Sequence, residues 1–158
     1  MAMRIGCGYD VHAFAPGRPL VLGGVTIPYE RGLSGHSDAD ALIHAVVDAL
    51  LGAAALGDIG RHFPSHDERW KNAPSSLFLD HTRDLLRQHG WKISNIDATI
   101  VAERPRLVPY LQAMRAHLAE HLHLQVEQVS VKATTTDGLG FAGRQEGIAC
   151  YAVALIEN

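Results

Sequence analysis

The stretch that decides the fold reads HSDADALIHAVVDALLGAAALGDIG and runs from His36 to Gly60. Ala, Leu, Ile and Val fill most of its positions, which predicts a helix buried on nearly all sides. Asp40, His44 and Asp48 interrupt this composition at intervals of four residues, so they fall on one face of the helix. Because buried polar atoms need partners, that face either forms an internal hydrogen-bond network or holds something charged.

His44 is the first candidate for a metal ligand. The alternative is a core histidine that is hydrogen-bonded to Asp40 or Asp48. Ser37 or Asp38 is expected to cap the helix at its N-terminus, where acidic side chains complement the helix dipole. The composition of this stretch therefore predicts the buried helix and leaves both roles of His44 open.

Length and charge limit the class of protein. A chain of 158 residues has the size of one ordinary domain, so residues 1–158 are predicted to form a single domain. The net charge is −3 and the basic residues are scattered, which argues against nucleic acid and membrane surfaces as partners. No apolar run reaches a membrane-spanning length, and no signal peptide is evident at the start, so we expect a cytoplasmic protein.

The remaining segments alternate between strand and helix patterns. Strands are predicted at residues 3–14, 91–103, 126–135 and 147–156, with a hairpin at 20–29. Two more helices are predicted at residues 75–89 and 108–123, with loops at 31–35 and 136–144 and a long, flap-like connection at 61–74. This order predicts an α+β fold, with a sheet of about four main strands covered on one face by about three helices, plus a small β-hairpin.

Asp10 and His12 lie two residues apart on the first predicted strand, so their side chains share one face of it. Together with His44 they would offer two imidazoles and one carboxylate, a set that zinc uses in catalytic sites with a fourth position open. The spacing alone also fits ordinary hydrogen-bonding roles for Asp10 and His12. The residue types therefore indicate a candidate zinc site without excluding a structural one.

A second group of polar residues follows the third main strand, in KATTTDGLGFAGR at residues 132–144. Hydroxyls, then glycines that allow close approach of backbone N–H groups, then an arginine, are typical of a phosphate cradle. Asp137 could hold a hard divalent cation there. An ordinary glycine-rich turn is the alternative, and residues 102–108, with a bend at Pro105, indicate by themselves only a strand end with surface charge.

Motifs in this chain occur in a fixed order: G-Y-D-V-H at residues 8–12, G-H-S-D-x-D-x-x-x-H at 35–44, L-G-D-I-G at 56–60 and K-A-T-T-T-x-x-L-G-F-x-G-R at 132–144. Together they resemble the 2-C-methyl-D-erythritol 2,4-cyclodiphosphate synthases of the non-mevalonate isoprenoid pathway. Enzymes of that family are lyases that convert 4-diphosphocytidyl-2-C-methyl-D-erythritol 2-phosphate to the cyclic diphosphate and release CMP. They are homotrimers with active sites between neighbouring subunits.

The resemblance implies that Asp10, His12 and His44 bind zinc and that Asp137 holds a second divalent cation, Mg²⁺ or Mn²⁺. Asp137 stands where the family pattern usually has glutamate, so a bridging water could make up its shorter reach. The 2-phosphate of the substrate attacks the β-phosphorus of its own CDP group. Catalysis is therefore implied to rest on positioning and charge neutralisation, without a protein nucleophile.

The same resemblance implies roles for the other motif residues. His36 and Thr135 would support the transition state, residues 102–108 would hold cytosine, and Phe141 and Arg144 would line an axial channel where a phosphorylated isoprenoid can bind. Arg106 replaces a more usual lysine, which keeps the charge but not the hydrogen-bond geometry. The implied substrate-binding residues are Asp10, Val11, His12, His36, Ser37, Asp58, Ile59, Gly60, Phe63, Pro64, Ser65, His66, Asp67, Ala102, Glu103, Arg104, Pro105, Arg106, Leu107, Val108, Thr134, Thr135, Thr136, Asp137, Phe141 and Arg144.

Two other functions fit the same residues. A zinc-dependent phosphohydrolase would use the same ligands to activate water, and its product would carry solvent oxygen without forming a cyclic diphosphate. A non-catalytic trimeric sensor would bind cytidine nucleotides without turnover. The coincidence of an open zinc site with a phosphate cradle argues against the sensor.

Overall fold

A computed structural model describes residues 1–158. Its strands are β1 Met3–Ala15, β2 Leu20–Leu22, β3 Val25–Ile27, β4 Gly32–Leu33, β5 Lys92–Val101, β6 Val129–Thr134 and β7 Gly147–Glu157. Its α-helices are α1 Ala41–Ala53, α2 Ile59–His62, α3 Ser76–Gln88, α4 Leu111–Leu122 and α5 Gly140–Gly143, and short 3₁₀ turns span Glu68–Trp70, Val108–Tyr110 and Val126–Gln128. None of these helices combines the length and the apolar composition needed to span a membrane.

The main sheet has five strands in the order β4-β1-β7-β5-β6. Strand β7 pairs antiparallel with both β1 and β5, while β5 and β6 run parallel. Strands β2 and β3 form a separate two-stranded hairpin, which turns at Gly23 and Gly24 with positive φ. The α+β class, the hairpin and the four long strands are therefore confirmed.

Helix α1 lies directly on β1 because glycines and alanines meet between them. A Cβ at Gly6 would overlap the carbonyl oxygen of Ala49, and a Cβ at Gly8 would overlap that of Ala45. Side chains alternate along a strand, so Asp10 and His12 continue the face that carries the two glycines. The close approach of helix and strand thus brings these polar side chains next to α1.

The sheet leaves its other face exposed. Ile5, Tyr9, Val11, Tyr151 and Val153 are all at least partly exposed there, with Ile5 at 72 %. Tyr9 pairs with Tyr151 across β1 and β7, and their ring centroids lie 4.8 Å apart. One face of the sheet is therefore packed and the other is an open apolar surface.

Several details of the sequence-based prediction were wrong. Residues 31–35, predicted as a loop, contain β4, which pairs with β1 at Phe14 and Leu33. The N-cap of α1 is Asp40, whose side chain accepts the N–H of Ile43, so neither Ser37 nor Asp38 caps this helix. Residues 136–144 contain the single helical turn α5 instead of a loop throughout.

Candidate metal centre

Three side chains from two elements converge beside the packed face of the sheet. Asp10 Oδ2 on β1 lies 2.8 Å from His12 Nε2 and 3.2 Å from His44 Nδ1 on α1. The two ring nitrogens are 3.3 Å apart. The three ligand atoms all lie within 4.8 Å of one another, so the predicted group of Asp10, His12 and His44 is assembled as one cluster.

Hydrogen bonds on the far side of each ring fix how the histidines face the cluster. His12 Nδ1 lies 2.7 Å from the carbonyl oxygen of Ser34, and because a carbonyl only accepts, Nδ1 carries the proton. His44 Nε2 lies 2.9 Å from Ser75 Oγ, and Ser37 Oγ is a longer contact at 3.3 Å. His12 Nε2 and His44 Nδ1 are therefore turned toward Asp10.

The cluster also shifts the ionisation of its members. Burial of Asp10 opposes its ionisation, yet the hydrogen bonds from His12 and His44 lower the pKa of Asp10 to about 2. Burial likewise opposes protonation of His12, but the hydrogen bond and charge of Asp10 raise the pKa of His12 on balance. The site therefore favours a carboxylate anion with positive charge beside it.

This donor set fits a divalent metal ion. When both rings are neutral, the lone pairs of the two imidazole nitrogens and of the Asp10 carboxylate oxygen point into one small space and repel one another, so a cation, either a proton or a metal ion, has to lie between them. Three such ligands with an open fourth position are typical of catalytic zinc. Asp10, His12 and His44 are the residues that would hold the ion.

Asp40 and Asp48 accept hydrogen bonds from backbone N–H groups and do not bind His44. Asp40 is fully buried and accepts N–H groups from Gly23 at 2.9 Å and Gly24 at 2.7 Å, besides its cap bond to Ile43. Burial raises the pKa of Asp40 to about 6. Asp48 Oδ1 accepts the N–H of Ile59 at 2.7 Å. The alternative in which either carboxylate holds His44 is therefore wrong.

A cavity of about 220 Å³ opens beside the cluster. It gathers predicted residues from three segments, and it adds two aromatic residues that the sequence analysis missed, Trp70 and Phe78. Phe78 lies on the buried face of α3, and Trp70 lies in a polar connection, so neither carried a sequence signal for the site. The predicted residues that line this cavity are Asp10, His12, His36, Ser37, His44, Ile59, Gly60, Phe63 and Ser65.

Hydrogen bonds and an ion pair connect the segments around this cavity. His36 Nε2 donates to the carbonyl oxygen of Asp67 at 2.9 Å, and the Asp67 carboxylate pairs with Arg69 at 2.6 Å. Asp58 caps α2 by accepting the N–H of Arg61 at 3.0 Å. These bonds connect residues 61–70 to the loop that carries His36. The predicted residues that do not line the cavity are Val11, Asp58, Pro64, His66 and Asp67.

The predicted cytosine segment lies in a separate groove of about 180 Å³, lined by Ala102, Glu103, Pro105, Arg106, Leu107, Val108, Ala133, Thr134 and Thr135. This groove shares no lining residue with the cavity at the metal cluster. Arg104 precedes Pro105 through a cis peptide bond and does not line it. Within one chain, the two halves of the predicted site are therefore apart.

The glycine-rich segment is hydrogen-bonded to the carboxylate of Glu103. Glu103 Oε1 accepts the N–H of Thr136 at 2.8 Å and that of Gly138 at 3.4 Å, and these bonds lower the pKa of Glu103. Asp137 has a positive φ of 53°, and its Oδ1 accepts the Thr135 hydroxyl at 3.5 Å. Glu103 is therefore engaged with the loop, while Asp137 has only one long side-chain contact.

Phe141 and Arg144 lie apart from both cavities. Phe141 lines a third cavity of about 160 Å³ with Tyr9 and Tyr151, next to the exposed face of the sheet. Arg144 Nε donates to Glu146 at 2.9 Å. Phe141 thus borders the apolar surface described above.

Comparisons with known proteins cover the whole chain. The family model described as the YgbB family matches residues 3–157. A protein of Geobacter metallireducens named 2-C-methyl-D-erythritol 2,4-cyclodiphosphate synthase is 60 % identical over 156 residues, which cover 99 % of each chain. A solved 2C-methyl-D-erythritol-2,4-cyclodiphosphate synthase matches with a TM-score of 0.90 at 38 % identity, over 98 % of this chain and all of that one (100 %). The IspF CDP complex of Plasmodium falciparum matches with a TM-score of 0.86 at 32 % identity, over 98 % of this chain and 96 % of that one.

Proposed function

The chain belongs to the YgbB family of 2-C-methyl-D-erythritol 2,4-cyclodiphosphate synthases, and from this premise we propose that it converts 4-diphosphocytidyl-2-C-methyl-D-erythritol 2-phosphate to the cyclic diphosphate with release of CMP. The observation that carries the proposal is the convergence of Asp10 Oδ2, His12 Nε2 and His44 Nδ1 at the edge of a cavity of about 220 Å³. Solved relatives described as CDP complexes support a cytidine diphosphate ligand.

The proposed reaction is an intramolecular phosphoryl transfer. An oxygen of the 2-phosphate forms a bond to the β-phosphorus, and the bond from that phosphorus to the oxygen bridging it to the α-phosphorus breaks. CMP leaves with the bridging oxygen. Since both reacting groups belong to one molecule, the main task of the protein is to hold them close and neutralise their charge.

Residues of this chain divide that task. Asp10, His12 and His44 would hold zinc, and Asp137 would contact a second divalent cation, Mg²⁺ or Mn²⁺. Such ions supply charge neutralisation and orientation of phosphate oxygens. His36 and Thr135 support the transition state. The aromatic wall formed by Phe63, Trp70 and Phe78 excludes water from the methylerythritol part of the substrate.

We propose that the active enzyme is a homotrimer with each active site between two subunits. Thr135 and the groove at residues 102–108 lie apart from the metal cluster within one chain, so a neighbouring copy has to supply them. The exposed apolar face of the sheet is the surface that such an assembly would bury. Each chain, residues 1–158, acts as one domain of this trimer. Phe141 and Arg144 line the axial channel of the trimer, where a phosphorylated isoprenoid can bind.

Product analysis tests the proposed function. The purified protein with Zn²⁺ and Mg²⁺ is incubated with the substrate in ¹⁸O-labelled water, and products are followed by ³¹P NMR and mass spectrometry. We expect equimolar CMP and a cyclic diphosphate that carries no solvent oxygen. Labelled, non-cyclic phosphates would identify a zinc phosphohydrolase instead. Tight binding of CDP without any turnover would identify a sensor.

A further inference from the structure

A fully buried serine separates the metal cluster from a carboxylate that the proposed reaction does not use. Ser75 has no exposed surface, and it occupies the N-cap position of α3 without making a capping hydrogen bond. Its hydroxyl instead lies between Asp38 and His44, at 2.9 Å from His44 Nε2. A buried hydroxyl that forgoes its usual cap role has to be held by these two partners.

The direction of each hydrogen bond follows from the other contacts of Asp38. Its carboxylate accepts the N–H of Ser75 at 2.9 Å and that of Asp40 at 3.1 Å, and it is also contacted by the Ser75 hydroxyl. A carboxylate only accepts, so the single proton of the Ser75 hydroxyl points to Asp38. The hydroxyl can then offer only a lone pair to His44, whose Nε2 has to carry the proton.

This chain of bonds leaves His44 with its lone pair on Nδ1, the atom that faces Asp10 and His12. We infer that Asp38 and Ser75 are positioning residues that fix the tautomer and the orientation of His44 for metal binding. The inference rests on the proposed metal site. A neutral histidine has two tautomers, and only the one with a proton on Nε2 presents a lone pair to the cluster.

Ser37 does not duplicate this role. Its hydroxyl is 3.3 Å from His44 Nε2, and it also accepts the N–H of Ala39 at 3.3 Å. Its longer contact has no carboxylate behind it to set the direction of the proton. Asp38 and Ser75 thus act on His44 as the carbonyl of Ser34 acts on His12. In each histidine, the ring nitrogen that faces away from the cluster donates a hydrogen bond that orients the ring.

Two variants separate positioning from general stability. Ser75→Ala removes the acceptor for His44 Nε2, and Asp38→Ala frees the Ser75 hydroxyl to donate to that nitrogen. Loss of such a partner weakens metal binding by about 10- to 100-fold. Thr82→Val is the matched control, because Thr82 is also fully buried on α3 but its hydroxyl has no hydrogen-bond partner.

Zinc affinity is measured by competition with a chelating indicator, and the His44 tautomer is read from long-range ¹H–¹⁵N spectra of the protein before zinc is added. We expect both variants to bind zinc about 10- to 100-fold more weakly and to show altered His44 ring nitrogen signals, with Thr82→Val like wild type. Zinc affinity within about twofold of wild type, with unchanged His44 signals, would overturn the inference. His44→Ala keeps the two proposals distinguishable, since wild-type zinc binding in that variant would contradict the metal site itself.

Discussion

The Nε2 atom of His12 lies 3.3 Å from the Nδ1 atom of His44, although the two residues are 32 positions apart in the chain. This approach depends on the contact of β1 with α1, where Gly6 and Gly8 leave no side chain between strand and helix. The same strand face that has no side chain at Gly8 has the candidate metal ligands Asp10 and His12. The fold and the metal cluster are therefore products of one packing contact.

Removal of a cluster residue should remove the metal. We expect His44→Ala and Asp10→Ala to lose bound zinc and nearly all turnover while the protein stays folded and trimeric, because two remaining ligands hold zinc poorly. Elemental analysis after gel filtration, together with light scattering, measures both properties. His89→Ala, at the exposed end of α3, is the control and should keep zinc. Full zinc occupancy in either cluster variant would contradict the assignment.

A pair of glycine substitutions tests the helix–strand contact. Gly8→Ala places a Cβ on the backbone of Ala45, so we expect a loss of roughly 3 kcal/mol or more in the free energy of unfolding, with weaker zinc binding. Gly52→Ala, within α1, meets nothing within 4 Å and should stabilise the protein by about 0.5 to 1 kcal/mol. Urea denaturation measures both changes. Equal effects of the two substitutions would refute the tight contact at Gly8.

The sequence pattern predicted those strands whose own residues show a regular pattern of burial. Alternation at residues 3–14 and the apolar run at 147–156 predicted β1 and β7, because each strand has one regular buried face. The two-residue β4 is too short to leave a periodic pattern and exists only through its pairing with β1. The sequence-based prediction therefore missed β4, because this strand is defined by its pairing with β1 and not by a pattern of its own.

The same distinction applies to the site. Asp10 and His12 were detectable because their spacing places them on one strand face. The cap of α1 was not, since Ser37, Asp38 and Asp40 are equally good N-cap types and the bonds from Gly23 and Gly24 select Asp40. Ser75, Trp70 and Phe78 reach the site from distant segments. No short sequence motif predicts that these residues contribute to the site.

The exposed face of the sheet should be the trimer interface. Val153→Glu and Ile5→Glu place a charge on this apolar face, so we expect dissociation to monomers that still bind zinc but lose turnover, because the two halves of the active site separate. Light scattering and analytical ultracentrifugation measure the mass. Leu77→Glu is the control, since Leu77 is 46 % exposed on α3 and away from this face. A stable, active wild-type monomer would contradict the shared site.

His117 should make stability depend on pH. Burial, followed by the nearby His121, lowers the pKa of His117 below its ordinary value of 6.5. The unfolded chain therefore binds a proton near pH 6.5 that the folded chain binds only at lower pH, so stability falls as pH drops below 6.5. Urea denaturation across pH 5 to 8 should show a smaller decrease for His117→Gln. The same comparison with His89→Gln is the control, and identical pH profiles for wild type and His117→Gln would refute the prediction.

Asp137, like Arg106, is a position at which this chain departs from the expected family pattern, and it tests the proposed second cation. Its side chain is one methylene shorter than glutamate, so a divalent ion held by two phosphates either shifts toward the loop or keeps an extra water, which Mg²⁺ tolerates well. We expect Asp137→Glu to leave activity within about tenfold, or roughly 1.4 kcal/mol of barrier. Asp137→Ala should raise the Mg²⁺ concentration needed for half-maximal rate.

The backbone at Asp137 requires a further variant. Its φ of 53° lies in the left-handed region, where asparagine and aspartate are tolerated better than alanine, so Asp137→Ala also strains the turn. Asp137→Asn keeps the size and the backbone preference but removes the charge. We therefore expect Asp137→Asn to keep the thermal stability of wild type and still require more Mg²⁺. If Asp137 only supports the turn, Asp137→Ala would lower the melting temperature while both variants keep the wild-type Mg²⁺ dependence, and Asp137 would then lie outside the active site.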